Sequence, residues 1–164
     1  MTFTAFYWMV FSIHAIIILM KVLNNDLKTS IFKGIYVLSG DDEFLKNSYK
    51  KRLKMAMVGD DQMNYAYFEG KGIDVDAIID FANTLPFFSE YRCILIEESQ
   101  WFKSGNDKFL NYISDKPDST KIIFVEKEID KRSKLYKKVK DIGYIAELNH
   151  PTDDELKNWA GNII

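Results

Sequence analysis

Five short apolar runs alternate with stretches of helical period, and this alternation most restricts what the chain can fold into. The runs are Ile35-Tyr36-Val37-Leu38, a weaker one from Asn64 to Phe68, Arg92 to Glu97, Lys121-Ile122-Ile123-Phe124-Val125, and Tyr144-Ile145-Ala146-Glu147. Unbroken apolar character with many β-branched residues suits strands covered on both faces. Between the runs, Asp42 to Met57 sets Leu45, Tyr49 and Leu53 inward, and Asp74 to Leu85 gathers Val75, Ile78, Ile79, Ala82 and Leu85 on one face. Further helices are expected near Asp107 to Ser114 and from Lys131 to Asp141, the latter with Leu135, Val139 and Ile142 inward. The pattern predicts an α/β fold with a mostly parallel five-stranded sheet and helices on both faces.

At 164 residues the chain suffices for one domain with a substantial core. A net charge of −2 gives no global field that would draw a polyanion. Cys93 is the only cysteine and falls in an apolar strand, so an intrachain disulfide and a cysteine-based zinc site are excluded. With His14 and His150 the only histidines, a histidine metal centre or a Ser/His/Asp triad lacks raw material. No metal and no cofactor are expected.

The ends differ in character from the middle. Phe3 to Met20 carries no formal charge and is barely long enough to span a membrane, yet no Lys or Arg precedes it and no small-residue cleavage site follows. Residues 1–19 therefore read either as an artefactual extension ahead of a true start at Met20 or as a membrane anchor. Residues 20–149 form the domain proper. Beyond the break at Asn149-His150-Pro151, the capping box Thr152-Asp153-Asp154-Glu155 opens another helix, so 150–164 is expected to begin a further, truncated domain.

In a parallel α/β domain the turn after the first strand is the usual phosphate site. Here it reads Ser39-Gly40-Asp41-Asp42-Glu43, without the second glycine and the Lys-Ser/Thr pair of a phosphate loop. Three carboxylates compensate the helix dipole themselves and repel a triphosphate, so Gly40, Asp41, Asp42 and Glu43 are read as a degenerate phosphate turn. Glu97 and Glu98 resemble a magnesium-holding strand end but are expected to be a solvated terminus. A phosphoacceptor site fails because no aspartate ends the third strand. The basic run from Lys131 to Lys140 is expected to be a solvated helix face, with at most weak contact to a phosphate backbone.

Leu85-Pro86-Phe87-Phe88-Ser89-Glu90 joins a helix to a buried strand, where a polar connection is the norm. The rings of Phe87 and Phe88 either fold back onto the core or stand exposed as an anchor for a partner. In the second case they would contribute roughly 3–6 kcal/mol before association costs. The residues alone leave both readings open.

Taken together, Tyr36-Val37-Leu38-Ser39-Gly40-Asp41-Asp42-Glu43-Phe44-Leu45, Leu85-Pro86-Phe87-Phe88-Ser89-Glu90-Tyr91-Arg92 and Asp130-Lys131-Arg132-Ser133-Lys134-Leu135-Tyr136-Lys137 resemble the delta subunit of the bacterial DNA polymerase III clamp loader. The resemblance runs from about Met20 to the end of the chain. It implies a RecA-like domain of AAA+ type that has lost ATP binding, in a cytoplasmic, non-enzymatic subunit. It also implies that Phe87 and Phe88, supported by Leu85 and Pro86, enter a hydrophobic cleft on the ring-shaped sliding clamp and promote its opening. Arg132 is not carried over as a catalytic arginine. Contacts with the other loader subunits would come from later domains, and DNA would be contacted weakly at most. The rival readings are an α/β nucleotide-binding enzyme and a membrane-tethered interaction domain.

Overall fold

The computed structural model describes residues 20–150 and, beyond them, Asp153, Asp154 and Lys157. Five strands form one sheet: β1 (Ile35–Ser39), β2 (Tyr65–Glu69), β3 (Arg92–Glu97), β4 (Thr120–Glu126) and β5 (Tyr144–Glu147), in the order β2-β3-β4-β1-β5. All four pairings are parallel. The expected sheet is therefore present and wholly parallel. The helices are α1 (Lys21–Thr29), α2 (Glu43–Val58), α3 (Val75–Asn83), α4 (Trp101–Ser104), α5 (Asp107–Tyr112) and α6 (Lys134–Ile142).

Alternate side chains of each central strand feed opposite cores, as the two-residue period of a strand requires. Tyr36, Leu38, Cys93, Leu95, Ile123 and Val125 face α1 and α2, meeting Leu23, Tyr49, Leu53 and Met57. Ile35, Val37, Ile94, Ile96, Ile122 and Phe124 face the other way, onto Ile78, Ala82, Trp101, Phe102, Phe109, Leu135 and Val139. Around Phe124 the rings of Trp101, Phe102 and Phe109 pack at centroid separations of 6.1, 5.2 and 5.6 Å. Helices thus cover both faces, which is why β1, β3 and β4 are apolar on both sides.

Helix α1 is fixed to the sheet by a buried polar contact: the Tyr36 hydroxyl donates to Asp26 at 2.7 Å and accepts from the Lys33 N–H at 2.8 Å. Burial, then the bond to the Asp26 carboxylate, pushes the phenol well above its ordinary value. The Tyr49 hydroxyl reaches Asn24 at 3.0 Å and ties α2 to α1.

Three expectations need correction. Helix α3 stops at Asn83, so Leu85 leaves the apolar face assigned to it and is 76% exposed. Ile142 is 39% exposed at the end of α6 and does not continue the stripe of Leu135 and Val139. The four-residue helix α4 has no counterpart in the sequence reading, because one turn is too short to show a period. Among the described residues no helix is long and apolar enough to cross a membrane. The apolar stretch 1–19 lies outside the described residues, as does most of the helix expected after Thr152.

Cys93 lies fully buried in β3, and burial pushes its thiol up to about 12. In the native protein at pH 8 the thiol should resist aromatic disulfide reagents, with labelling rising only across the urea unfolding transition. Rapid stoichiometric labelling of the folded chain would contradict this placement.

Candidate functional site

The two poles of a parallel sheet differ in kind. Turns leaving strands lie at the carboxyl pole, where ligands of open α/β sheets usually bind, and turns entering strands lie at the opposite, amino pole. The turn read as a degenerate phosphate site is at the carboxyl pole, after β1. The Phe87-Phe88 loop is at the amino pole, before β3.

At the amino pole, α3 ends because Thr84 turns away from it: the Thr84 hydroxyl donates to the Asp80 carbonyl at 3.0 Å, and its N–H to the Phe81 carbonyl at 3.3 Å. Pro86 then prevents any return to helix. Leu85, Phe87 and Phe88 are 76%, 52% and 94% exposed, while Pro86 is partly covered. The two rings meet edge to face with centroids 4.5 Å apart. All four residues expected to contact a partner thus share one projecting loop. Phe88 has φ of 49°, a left-handed conformation unusual for a bulky residue. Such a conformation persists only where the surroundings over-determine it, at a cost of roughly 1–3 kcal/mol.

Two side chains hold the backbone on the approach to Phe88. Asn64, just before β2 and fully buried, accepts from the Phe87 N–H at 2.8 Å and donates to the Phe87 carbonyl at 2.7 Å. Its amide also donates to Asp61 at 2.5 Å, and its backbone carbonyl accepts from the Cys93 N–H of β3 at 2.8 Å. Arg92, at the start of β3, donates to the carbonyls of Leu85 at 3.2 Å and Phe81 at 3.4 Å, with its guanidinium 4.2 Å from the centre of the Phe81 ring. A long-range asparagine contact leaves no local sequence signature. Arg92 was legible as the first residue of a strand and the last of a quoted motif, but not as a partner of the loop carbonyls.

At the carboxyl pole, residues 148–150 lie against the phosphate turn. The Asp42 N–H donates to the Leu148 carbonyl at 2.9 Å, and the Asp41 N–H to Asn149 Oδ1 at 3.1 Å. Asp41 accepts the His150 N–H at 2.8 Å, and Asp42 caps α2 by accepting the Leu45 N–H at 2.9 Å, with His150 Nδ1 3.3 Å from its other oxygen. A Cβ on Gly40 would lie 2.4 Å from the Leu148 carbonyl oxygen, and Gly40 has φ of 115°, so the approach depends on glycine.

The sequence reading missed one residue in this turn. Lys46 stands six positions after Gly40, the spacing of a phosphate-loop lysine, but between Leu45 and Asn47 instead of glycine and Ser/Thr. It is buried, and its ammonium meets the Glu43 carboxylate at 2.7 Å. The lysine thus already has an acid of the same segment as its partner.

The neighbouring strand ends are also engaged. Glu97 pairs with Lys50 at 2.6 Å, so it is less solvated than expected, while the exposed Glu98 accepts the Lys127 N–H at 2.9 Å. Buried Glu126, at the end of β4, accepts the N–H groups of Ser99 and Gln100 at 3.0 and 3.3 Å and the Ser99 hydroxyl; burial raises its carboxyl above the ordinary range. Among the described residues no group of three or more His, Cys, Asp or Glu side chains is placed to hold a metal. Arg132 forms a two-pronged pair with Asp130 at 3.0 Å for each bond. Lys134, Lys137 and Lys138 of α6 line an open groove against α5.

A protein-family model described as DNA polymerase III, delta subunit, matches residues 36–148, most of the chain. The chain belongs to the DNA polymerase III delta-subunit family. A solved structure of similar fold is the Bacillus subtilis DNA clamp loader delta protein, at TM-score 0.72 and 21% identity, covering 88% of this chain and 46% of that one. Another is a DNA polymerase III gamma subunit-related protein from Thermotoga maritima, at TM-score 0.58 and 15% identity, covering 80% of this chain and 47% of that one. This delta-family chain spans about half the length of those two proteins. No curated protein matches it in sequence.

Two outcomes test the geometry of the poles. Gly40→Ala should destabilise the fold by about 2 kcal/mol or more, because it adds a left-handed strain to a backbone clash; the urea midpoint reads this, and an unchanged midpoint would contradict it. The bond from the Asn64 amide, then the Met63 N–H, holds the Asp61 carboxyl below its usual 3.8. The contact is thus fully present above that value and lost as pH falls through the lower, folded one. The Asn64 side-chain amide resonances should titrate with a midpoint below 3.8.

Proposed function

We propose that this chain is a non-enzymatic clamp-binding module of the cytoplasmic replication machinery. Phe87 and Phe88, with Leu85 and Pro86 beside them, bury themselves in an apolar cleft of the sliding clamp. The observation that carries this reading is the outward display of two rings, packed edge to face, on a loop whose backbone is tied down on both sides. Rings destined for the core would not be held away from it by a buried asparagine and an arginine.

Burying both rings contributes roughly 3–6 kcal/mol before association costs. That energy opens a ring only if the open form is bound more tightly than the closed one, so the cleft must fit the rings better when the clamp interface is sprung. Catalysis is not assigned to this chain. The phosphate turn bonds to residues 148–150 and neutralises Lys46 with Glu43, which leaves a triphosphate competing against internal partners and three carboxylates. Association with the other loader subunits is assigned to the part of the family's length this chain does not span. Lys134, Lys137 and Lys138 supply at most a weak contact to a DNA backbone.

Surface-plasmon-resonance binding to a bacterial sliding clamp tests the reading. The parent chain should bind saturably, and the Phe87→Ala/Phe88→Ala variant should lose at least about a hundredfold in affinity while keeping its thermal midpoint, as about 3 kcal/mol implies. Equal binding by the two proteins would refute the wedge. In parallel, ATP with magnesium should give no saturable calorimetric signal, and micromolar ATP affinity would instead favour a nucleotide-binding enzyme.

A further inference from the structure

We infer that Asn64 is a positioning residue for the wedge, holding Phe87 and Phe88 in their partner-ready shape before any partner arrives. The inference rests on the clamp-binding reading above and assigns part of the site to a residue outside the loop. Its basis is the paired bond of the Asn64 carboxamide to both backbone groups of Phe87, at 2.8 and 2.7 Å. One acceptor and one donor in a plane reproduce the exchange between paired strands, so a side chain extends the sheet to the loop where the backbone of β2 does not reach.

The loop needs such a brace. Phe88 is 94% exposed, so its packing is almost confined to the neighbouring Phe87 ring, and it keeps a left-handed φ of 49°. Without restraint the segment would relax to more populated conformations, and its affinity would fall by the fraction of time it spends in the competent one. Arg92 fixes the entry side through Leu85, and Asn64 fixes Phe87 next to the strained residue. Asp61 in turn orients the Asn64 amide, accepting its second N–H at 2.5 Å.

Asparagine fits this position on chemical grounds. Aspartate could still accept from Phe87 but could not donate to its carbonyl, and it would set a second carboxylate beside Asp61. Glutamine would add a methylene at a site with no exposure. Alanine would leave both Phe87 backbone groups to water.

The test compares clamp binding by the parent, Phe88→Ala, Asn64→Ala and Asp61→Ala chains, with amide exchange at Phe87 measured in each. The expected result is near-complete loss for Phe88→Ala. For Asn64→Ala we expect about a tenfold drop, carried mainly by the association rate, if the competent fraction falls to about a tenth. Asp61→Ala should fall between Asn64→Ala and the parent, and exchange at Phe87 should quicken in the same order. A merely structural role for Asn64 would lower the thermal midpoint without changing the association rate well below it. If Asn64→Ala does not fold, Asp61→Ala, altered near the surface, decides the matter. Parent-like affinity and exchange in a folded Asn64→Ala or in Asp61→Ala, with Phe88→Ala still defective, would overturn the brace and leave the wedge standing. Failure of the parent chain to bind at all would overturn the wedge itself.

Discussion

Parallel pairing of all five strands imposes the constraint on which the molecule depends. Every connection must travel back along the sheet, so turns that leave strands and turns that enter them collect at opposite poles. Helices packed on both faces are the consequence, and they require strands apolar on both sides. The same constraint separates the two candidate sites. A loop entering β3 cannot lie beside the turn leaving β1, so whatever happens at the phenylalanines is spatially independent of that turn.

The poles have opposite chemistry. At the carboxyl pole polar groups are satisfied internally: the turn after β1 bonds to residues 148–150, Glu43 meets Lys46, and Glu126 gathers the start of α4. At the amino pole polar groups are spent on holding apolar ones out. Asn64 and Arg92 engage the backbone of the loop and leave its side chains free. An exposed aromatic pair is a liability in a soluble protein unless something covers it, since it loses the burial energy that similar rings gain in the core. Fixing that pair rigidly also removes the ordering cost at the moment of binding, which is how a small apolar contact can become a tight one.

Much of this was legible in the sequence, and the reasons differ by element. The strands β3 and β5 were read to the residue because each is a short apolar run set off from the helical stretches around it. Helix α3 was drawn too long because Pro86 looked like its terminator. The chain turns earlier, where the Thr84 hydroxyl takes the Asp80 carbonyl, and a threonine gives no such warning. Leu85 consequently changed from a core residue to an exposed one. Lys46 was overlooked because its neighbours are not the glycine and Ser/Thr that normally mark a phosphate-loop lysine. Asn64 was invisible in principle, since its meaning lies in a contact 23 residues away. The acidic character of the turn after β1 was plain from its residues, but the segment lying against it could be seen only in three dimensions.

Hydrogen–deuterium exchange of the chain with and without a bacterial sliding clamp tests most directly whether the amino pole is the working one. Binding through the wedge predicts slowed exchange from about residue 84 to 91 and around Asn64, with the turn from Ser39 to Lys46 unchanged. Protection confined to that turn or to α6, with the phenylalanine loop unaffected, would contradict it.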